Sequence, residues 1–184
     1  MAEVGFFYVR CRPNIEGDDM AAVMSRIHEE HREMLPHIKA MRTTAELIGH
    51  TPHSVLMARC QEAIQFLQHH LLPHARAEEQ FLYPVIDRLE GARLGSALMR
   101  WDHTEIQRLT TELHVTWEKM IGNHLLTADV ERNLRETLLS LHSIAIQHFT
   151  KEDELLVPLL ESTISQDEAD SIVHDMSVLE RRLV

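Results

Sequence analysis

A chain of 184 residues is long enough for one domain with a substantial core and too short for two comfortable ones. Its 29 Asp and Glu against 18 Lys and Arg leave a formal charge of −11. That charge repels phosphate backbones and anionic surfaces, so neither nucleic acid nor membrane is expected as a partner. No apolar stretch approaches the roughly 20 residues needed to span a bilayer, and the N-terminus, MAEVGFFYVRCRP, lacks the long apolar region and cleavage site of a secretory signal. A cytoplasmic protein is the expectation. Cys11 and Cys60 show no CxxC-type spacing and read as reduced thiols. Histidine is in excess, with 14 in the chain.

Gly and Pro punctuation divides the sequence into long helical segments and predicts an all-α fold. Residues 1–17 form a short N-terminal extension, in which Phe6 to Val9 could be extended. Gly17-Asp18-Asp19 offers an N-cap and Gly49 a stop, predicting a first helix over 19–48. Thr51-Pro52 opens a second helix running to about 89, and Pro73 inside it should kink the backbone beside His74. A third helix is predicted over 96–121, stopping at Gly122-Asn123, and a fourth over about 127–162. Such short connections imply an antiparallel, up-and-down four-helix bundle spanning 18–163. Over 164–184, Ser165-x-x-Glu168 reads as a capping box opening an additional C-terminal helix. Its Ile172, Val173, Met176, Leu179 and Leu183 form an apolar face that packs on the bundle or makes a homodimer contact.

Steps of three and four trace the buried seams. The first helix gives Met20, Met24, Ile27, His31, Met34, Ile38, Met41, Ala45 and Ile48, and the second gives Met57, Cys60, Ile64, Leu67, Leu71, His74, Glu78, Phe81 and Val85. The third gives Met99, His103, Ile106, Thr110, Leu113, Trp117 and Met120, and the fourth Val130, Leu134, Thr137, Leu141, Ile144, His148, Glu152, Leu155 and Leu159. Each helix thus carries ionisable groups into an apolar stripe. Burying two carboxylates without partners costs several kcal/mol each, so they must be neutralised by protons, cations or metal. Metal accounts for all six groups together. Residues four apart share a helix face, so a histidine can bind one ion while the glutamate one turn along reaches a bridging position. Imidazole with carboxylate suits iron, zinc or manganese.

The chain also repeats itself. His74-x-x-x-Glu78-Glu79-x-x-Leu82-Tyr83-Pro84 matches His148-x-x-x-Glu152-Asp153-x-x-Leu156-Val157-Pro158, and Glu30-His31 matches Asp102-His103. A pseudo-two-fold bundle with a central two-metal site follows. The order His, His-x-x-x-Glu, His, His-x-x-x-Glu resembles the hemerythrin-like, or HHE cation-binding, family over about 20–162. That resemblance implies His31, His74, Glu78, His103, His148 and Glu152 as ligands of two irons, with both glutamates bridging. The pattern is similar to that of bacterial di-iron proteins implicated in iron–sulfur repair and nitric-oxide stress.

Oxygen carriers of the family place a second histidine where this chain has Gln107, and a five-residue step from His148 would reach Asp153 in place of Glu152. His28 and His70 are alternative or outer ligands; the remaining histidines have no matching spacing. Four imidazoles and two carboxylates supply four donors per iron, and an oxo or hydroxo bridge makes five, leaving a position open to O₂, peroxide or NO. The resemblance also allows a reversible O₂ carrier or sensor, and the site alone a metal that merely staples the bundle.

Overall fold

The computed structural model describes residues 21–89, 93–121 and 126–183. The N-terminal extension, the Gly17-Asp18-Asp19 cap, Cys11, Met20, Gly91, the Gly122-Asn123 stop and His124 lie outside them. The described residues are helical, without strands, and no helix among them is long and apolar enough to cross a membrane.

Helix α1 spans Ala21–Leu47. Gly49 follows it at φ +83°, the left-handed conformation that glycine adopts without steric cost. Arg135 binds the carbonyls of Ala45 and Ile48 at 2.8 and 3.0 Å, satisfying acceptors that the helix end leaves open. Helix α2 runs over 53–88 as three α-helical pieces, His53–Phe66, Leu72–Ala77 and Tyr83–Arg88, joined by π turns at Leu67–Leu71 and Glu78–Leu82. Helix α3 spans Arg93–Met120. Helix α4 comprises Ala128–Lys151, a π turn at Glu152–Leu156 and a last piece, Val157–Glu161, and Thr127 caps its start by accepting from the Val130 N–H. Helix α5 spans Gln166–Leu183, its start capped by Ser165, whose hydroxyl accepts from the Glu168 N–H at 3.4 Å.

The π turns have a common cause. Pro73, Pro84 and Pro158 each stand two positions after one, and the residue just before each proline donates to the carbonyl five residues back. A proline ring collides with the carbonyl four residues earlier, and a locally wider turn relieves the collision without breaking the helix. At Pro73 the expected disturbance of the helix takes the form of a π turn, with Phe66 and Leu72, which flank it, in helical conformation.

Each π turn inserts one residue, which moves the buried seam. Beyond Glu152 the core takes Leu156 and Leu160, whereas Leu155, placed on the seam by steps of three and four, is 63% exposed. The same shift on α2 buries Leu82, Tyr83 and Ile86 after Glu78.

The helices α1–α2, α2–α3, α3–α4 and α4–α1 are neighbours, closing a ring around the core. Two apolar clusters fill that core. One holds Met34, Ile38, Leu67, Leu71, Ile106, Leu113, Leu141 and Ala145; the other holds Ile27, Leu82, Met99 and Leu156. The six polar positions fall in sequence between members of the two clusters on every helix: His31 between Ile27 and Met34, His74 and Glu78 between Leu71 and Leu82, His103 between Met99 and Ile106, His148 and Glu152 between Ala145 and Leu156. Helix α5 lies across α2 and α1, adding Ala169, Ile172 and Met176 to the second cluster. The apolar tail face is covered by the bundle itself.

Candidate metal centre

His31, His74, Glu78, His103, His148 and Glu152 are all buried, none more than 4% exposed. The structure brings them together. The Nε2 atoms of His31 and His74 approach to 3.3 Å, and those of His103 and His148 to 2.9 Å, making two facing imidazole pairs. Glu78 lies between the pairs. Its Oε1 is 3.1 Å from His74 Nε2 and 3.9 Å from His31 Nε2, while its Oε2 is 3.3 Å from His103 Nε2 and 3.9 Å from His148 Nε2. Glu152 Oε2 is 3.4 Å from both His31 Nε2 and His148 Nε2. Among the described residues three groups could hold an ion: Glu30 with His74 and Glu180 lies behind His74, and the two in the core are His31 with His74 and Glu78, and Glu78 with His103 and His148. Glu78 belongs to both core groups.

Both oxygens of Glu78 and Oε2 of Glu152 are buried without a hydrogen-bond partner. Carboxylate oxygens left so in a low-dielectric core are costly, and coordination to a cation removes the cost. The donor set therefore fits metal: imidazole nitrogens and carboxylate oxygens converge from opposite sides on points that no protein donor fills.

Each imidazole is held from behind by a carboxylate that accepts from its Nδ1–H. His31 donates to Asp153 at 2.8 Å and His103 to Glu79 at 2.9 Å; His148 faces Asp102 at 3.4 Å, and His74 faces Glu30 at 3.4 Å and Glu180 at 3.2 Å. Such contacts fix the tautomer, leave Nε2 free to bind metal and raise its donor strength. They also obey the internal repeat. The residue after each buried glutamate, Glu79 or Asp153, supports the histidine of the odd-numbered helix; the residue before each of those histidines, Glu30 or Asp102, supports the histidine of the even-numbered one. Phe149 stacks on His31 at 4.0 Å between ring centroids and fixes its plane.

The electrostatics follow from burial opposed by these anions. Burial disfavours a charged His31, but the carboxylates of Asp153, Glu152 and Glu78 outweigh it and push the group up to about 10. His148 is pushed up to about 9 against its own burial by Glu152, Asp102 and Glu78, and His74 and His103 shift the same way. Glu78, despite full burial, is held well below the usual carboxylate range by His74 and the other imidazoles.

Tyr83, whose counterpart in the repeat is Val157, is fully buried in the centre. Its hydroxyl donates to Glu152 Oε1 at 2.6 Å and lies 3.3 Å from His103 Nε2. Burial and the carboxylates of Glu78 and Glu152 hold the phenol well above its ordinary value, so it stays protonated.

The outer candidates separate. Asp153 is a support for His31 at its Nδ1. His28 lies 3.4 Å from Asp153, half exposed, at the rim. His70 is exposed on the wall of an open groove of about 600 Å³ that reaches His74, and it joins none of the three ion-holding groups. Gln107 is exposed. At about 100° per residue it falls on one side of His103, while the buried Asp102, Ile106, Leu109 and Leu113 fall on the other. His103 thus enters from the edge of its stripe, and residue 107 does not follow it inward. Sequence reasoning missed Glu30, Glu79, Asp102 and Glu180; the first three flank the repeated motifs, whereas nothing marked Glu180.

No solved structure matches the chain. It is 25% identical over 144 residues to the iron-sulfur cluster repair protein YtfE of Edwardsiella ictaluri, an alignment covering 77% of this chain and 64% of that protein. The chain thus spans less than two thirds of that relative's length. The family model of the hemerythrin HHE cation binding domain matches residues 19–159, and the chain belongs to that family.

Proposed function

We propose that this chain is a non-haem di-iron protein whose centre reacts with a small oxidant or nitric oxide in stress response or repair. The observation that carries the reading is Glu78, with two orphaned oxygens each turned toward a different imidazole pair. A single ion would leave one of them unsatisfied. His31 and His74 would hold one iron, His103 and His148 the other, Glu78 and Glu152 would bridge, and an oxo or hydroxo group would complete the resident pair. Iron is favoured over zinc by the named function of the relative.

Bound iron would supply redox chemistry and open coordination positions for O₂, peroxide or NO. The protein's own groups do the rest. The two apolar clusters flank the centre, and the groove beside His70 reaches it at His74. The supporting carboxylates hold the four imidazoles at fixed angles. Tyr83 holds a proton at Oη beside Glu152 Oε1, where it can be given to or taken from a reacting oxygen.

The order of the two apolar clusters along the chain reverses from each helix to the next, which supports the up-and-down antiparallel bundle over 18–163. We place α5 with that unit as its C-terminal segment, and the whole in the cytoplasm.

The test is anaerobic reconstitution of the metal-free chain with Fe²⁺, followed by metal analysis and Mössbauer spectroscopy. Two irons per chain with coupled signals are expected. One iron per chain, or zinc supporting the same reactivity, overturns the proposal. Stopped-flow mixing of the reduced protein with O₂, peroxide and NO then identifies the partner; a stable, reversible oxygenated spectrum would mark a carrier or sensor instead.

A further inference from the structure

The internal repeat makes the two halves of the centre near copies, which isolates the places where they differ. Offset by 74 residues, Ala77 on α2 corresponds to Lys151 on α4. Ala77 is fully buried in the apolar cluster that α5 joins through Ala169, Ile172 and Met176. A small side chain there leaves a face on which α5 settles, and α5 then brings Glu180 to His74 Nδ1 at 3.2 Å, beside Glu30. On the other half no tail helix supplies an anion. Lys151 instead sets its ammonium on Asp102, the carboxylate behind His148. Arg100 also reaches the Glu79 carbonyl at 3.3 Å, beside the support of His103, but its charge is paired with Asp87 at 2.9 Å, so Lys151 carries the difference.

One half therefore gains an anion and the other a cation, at equivalent depth behind equivalent histidines. An extra carboxylate on an imidazole N–H strengthens the opposite nitrogen as a donor and adds negative potential at the ion. An ammonium on the supporting carboxylate draws that carboxylate away from the imidazole and opposes the ion directly. Arg26, which pairs with Glu30 at 2.9 Å, offsets part of the difference but leaves Glu180 and Asp153 in place.

We propose that the two ion positions are inequivalent by construction, with the His31/His74 position, backed by Glu180 from α5, binding first and more tightly than the His103/His148 position, backed by Lys151-neutralised Asp102. The tail helix is then a positioning element of the centre, and Glu180 and Lys151 set the order of filling and release. This rests on the two-ion reading above.

The test is titration of the full metal-free chain with Co²⁺, followed optically and by calorimetry. Wild type should bind two ions in two resolved steps. Glu180→Gln, which keeps the side-chain shape, should weaken the first step by about tenfold and spare the second. Lys151→Met should tighten the second step and spare the first. Thermal unfolding of each metal-free variant separates a role in docking α5 from a role at the ion. If Glu180→Gln lowers the melting temperature yet leaves both steps in place, or if it weakens both steps equally, the inequivalence is wrong although two ions still bind. A wild-type stoichiometry of one removes the two-ion reading and this inference with it.

Discussion

The Tyr83 hydroxyl donates to Glu152 Oε1 at 2.6 Å, and that single bond makes the two buried glutamates unlike. Glu78 offers both oxygens to the imidazole pairs, whereas Glu152 offers Oε2 and has Oε1 already engaged. Among the described residues, and histidine apart, the phenol is the one donor on the Glu152 carboxylate. Tyr83→Phe should destabilise the metal-free protein by about 1.5–3 kcal/mol, the range for a hydrogen bond to a charged group. Metal can take the freed oxygen, so the loaded protein should lose less. Thermal unfolding with and without metal measures both; an equal loss in the two forms would show that Tyr83 acts only by packing.

Glu78 should be the residue least dispensable for metal. Glu78→Ala strips a donor from both imidazole pairs at once and should abolish retention of both ions through gel filtration. Glu152→Ala removes an oxygen equidistant from His31 and His148 and should lose most of the metal. Asp153→Ala only unties His31 Nδ1, so its cost should be an affinity loss of about 10–100-fold, with stoichiometry restored by excess metal. If Asp153→Ala proves as damaging as Glu152→Ala, the fourth helix donates its ligand one residue later than the geometry indicates.

Metal loading should release protons. In the metal-free protein His31 and His148, one from each facing pair, are pushed up to about 10 and about 9, so these two imidazoles are charged at neutral pH. Coordination requires them neutral, so metal binding should release a proton from each of these two histidines. Calorimetry at pH 7 in two buffers of different ionisation enthalpy counts those protons. The sign for stability is set by the same raised values. The charged pairs stabilise the metal-free fold fully below about pH 6.5, the unperturbed histidine value, and that contribution is lost as pH rises through 9 to 10. Metal-free protein should therefore melt at lower temperature at pH 10 than at pH 7, while the loaded protein changes less.

The six inner side chains were legible because each is a polar residue on an apolar stripe, and because the repeat pairs them. What supports them was harder to read. Glu79, Asp102 and Glu30 sit beside motif residues, yet in a chain with 29 carboxylates a neighbouring acid resembles a solvated surface charge. Glu180 is 106 residues from His74, and no local pattern links them. Gln107 misled by spacing alone: four residues on from His103 is the same face only when His103 sits at the centre of its stripe. Gln107→His should therefore leave metal stoichiometry, optical spectra and the decay of any oxygenated form unchanged from wild type. A new histidine-to-metal signal or a long-lived oxygenated species would mean that α3 turns inward at that position.

The π turn at Glu152–Leu156 makes the sharpest distinction between the periodic reading and the folded helix. Steps of three and four continue from Glu152 to Leu155 and Leu159, while the extra residue in the wide turn transfers burial to Leu156 and Leu160. The signal was present in Pro158, whose ring excludes the carbonyl of Glu154 from an ordinary turn, but periodicity carries no term for it. Leu155 is 63% exposed and Leu156 only 5%. Leu155→Lys should cost no more than about 0.5 kcal/mol, as for an ordinary surface change. Leu156→Ala should cost about 2–5 kcal/mol, because it removes apolar contact and leaves a cavity in the cluster shared with Ile27, Leu82 and Met99. Urea unfolding of the metal-free variants gives both numbers. The reverse ranking would put α4 in regular register through Glu152, and would swing that carboxylate away from the point midway between His31 and His148.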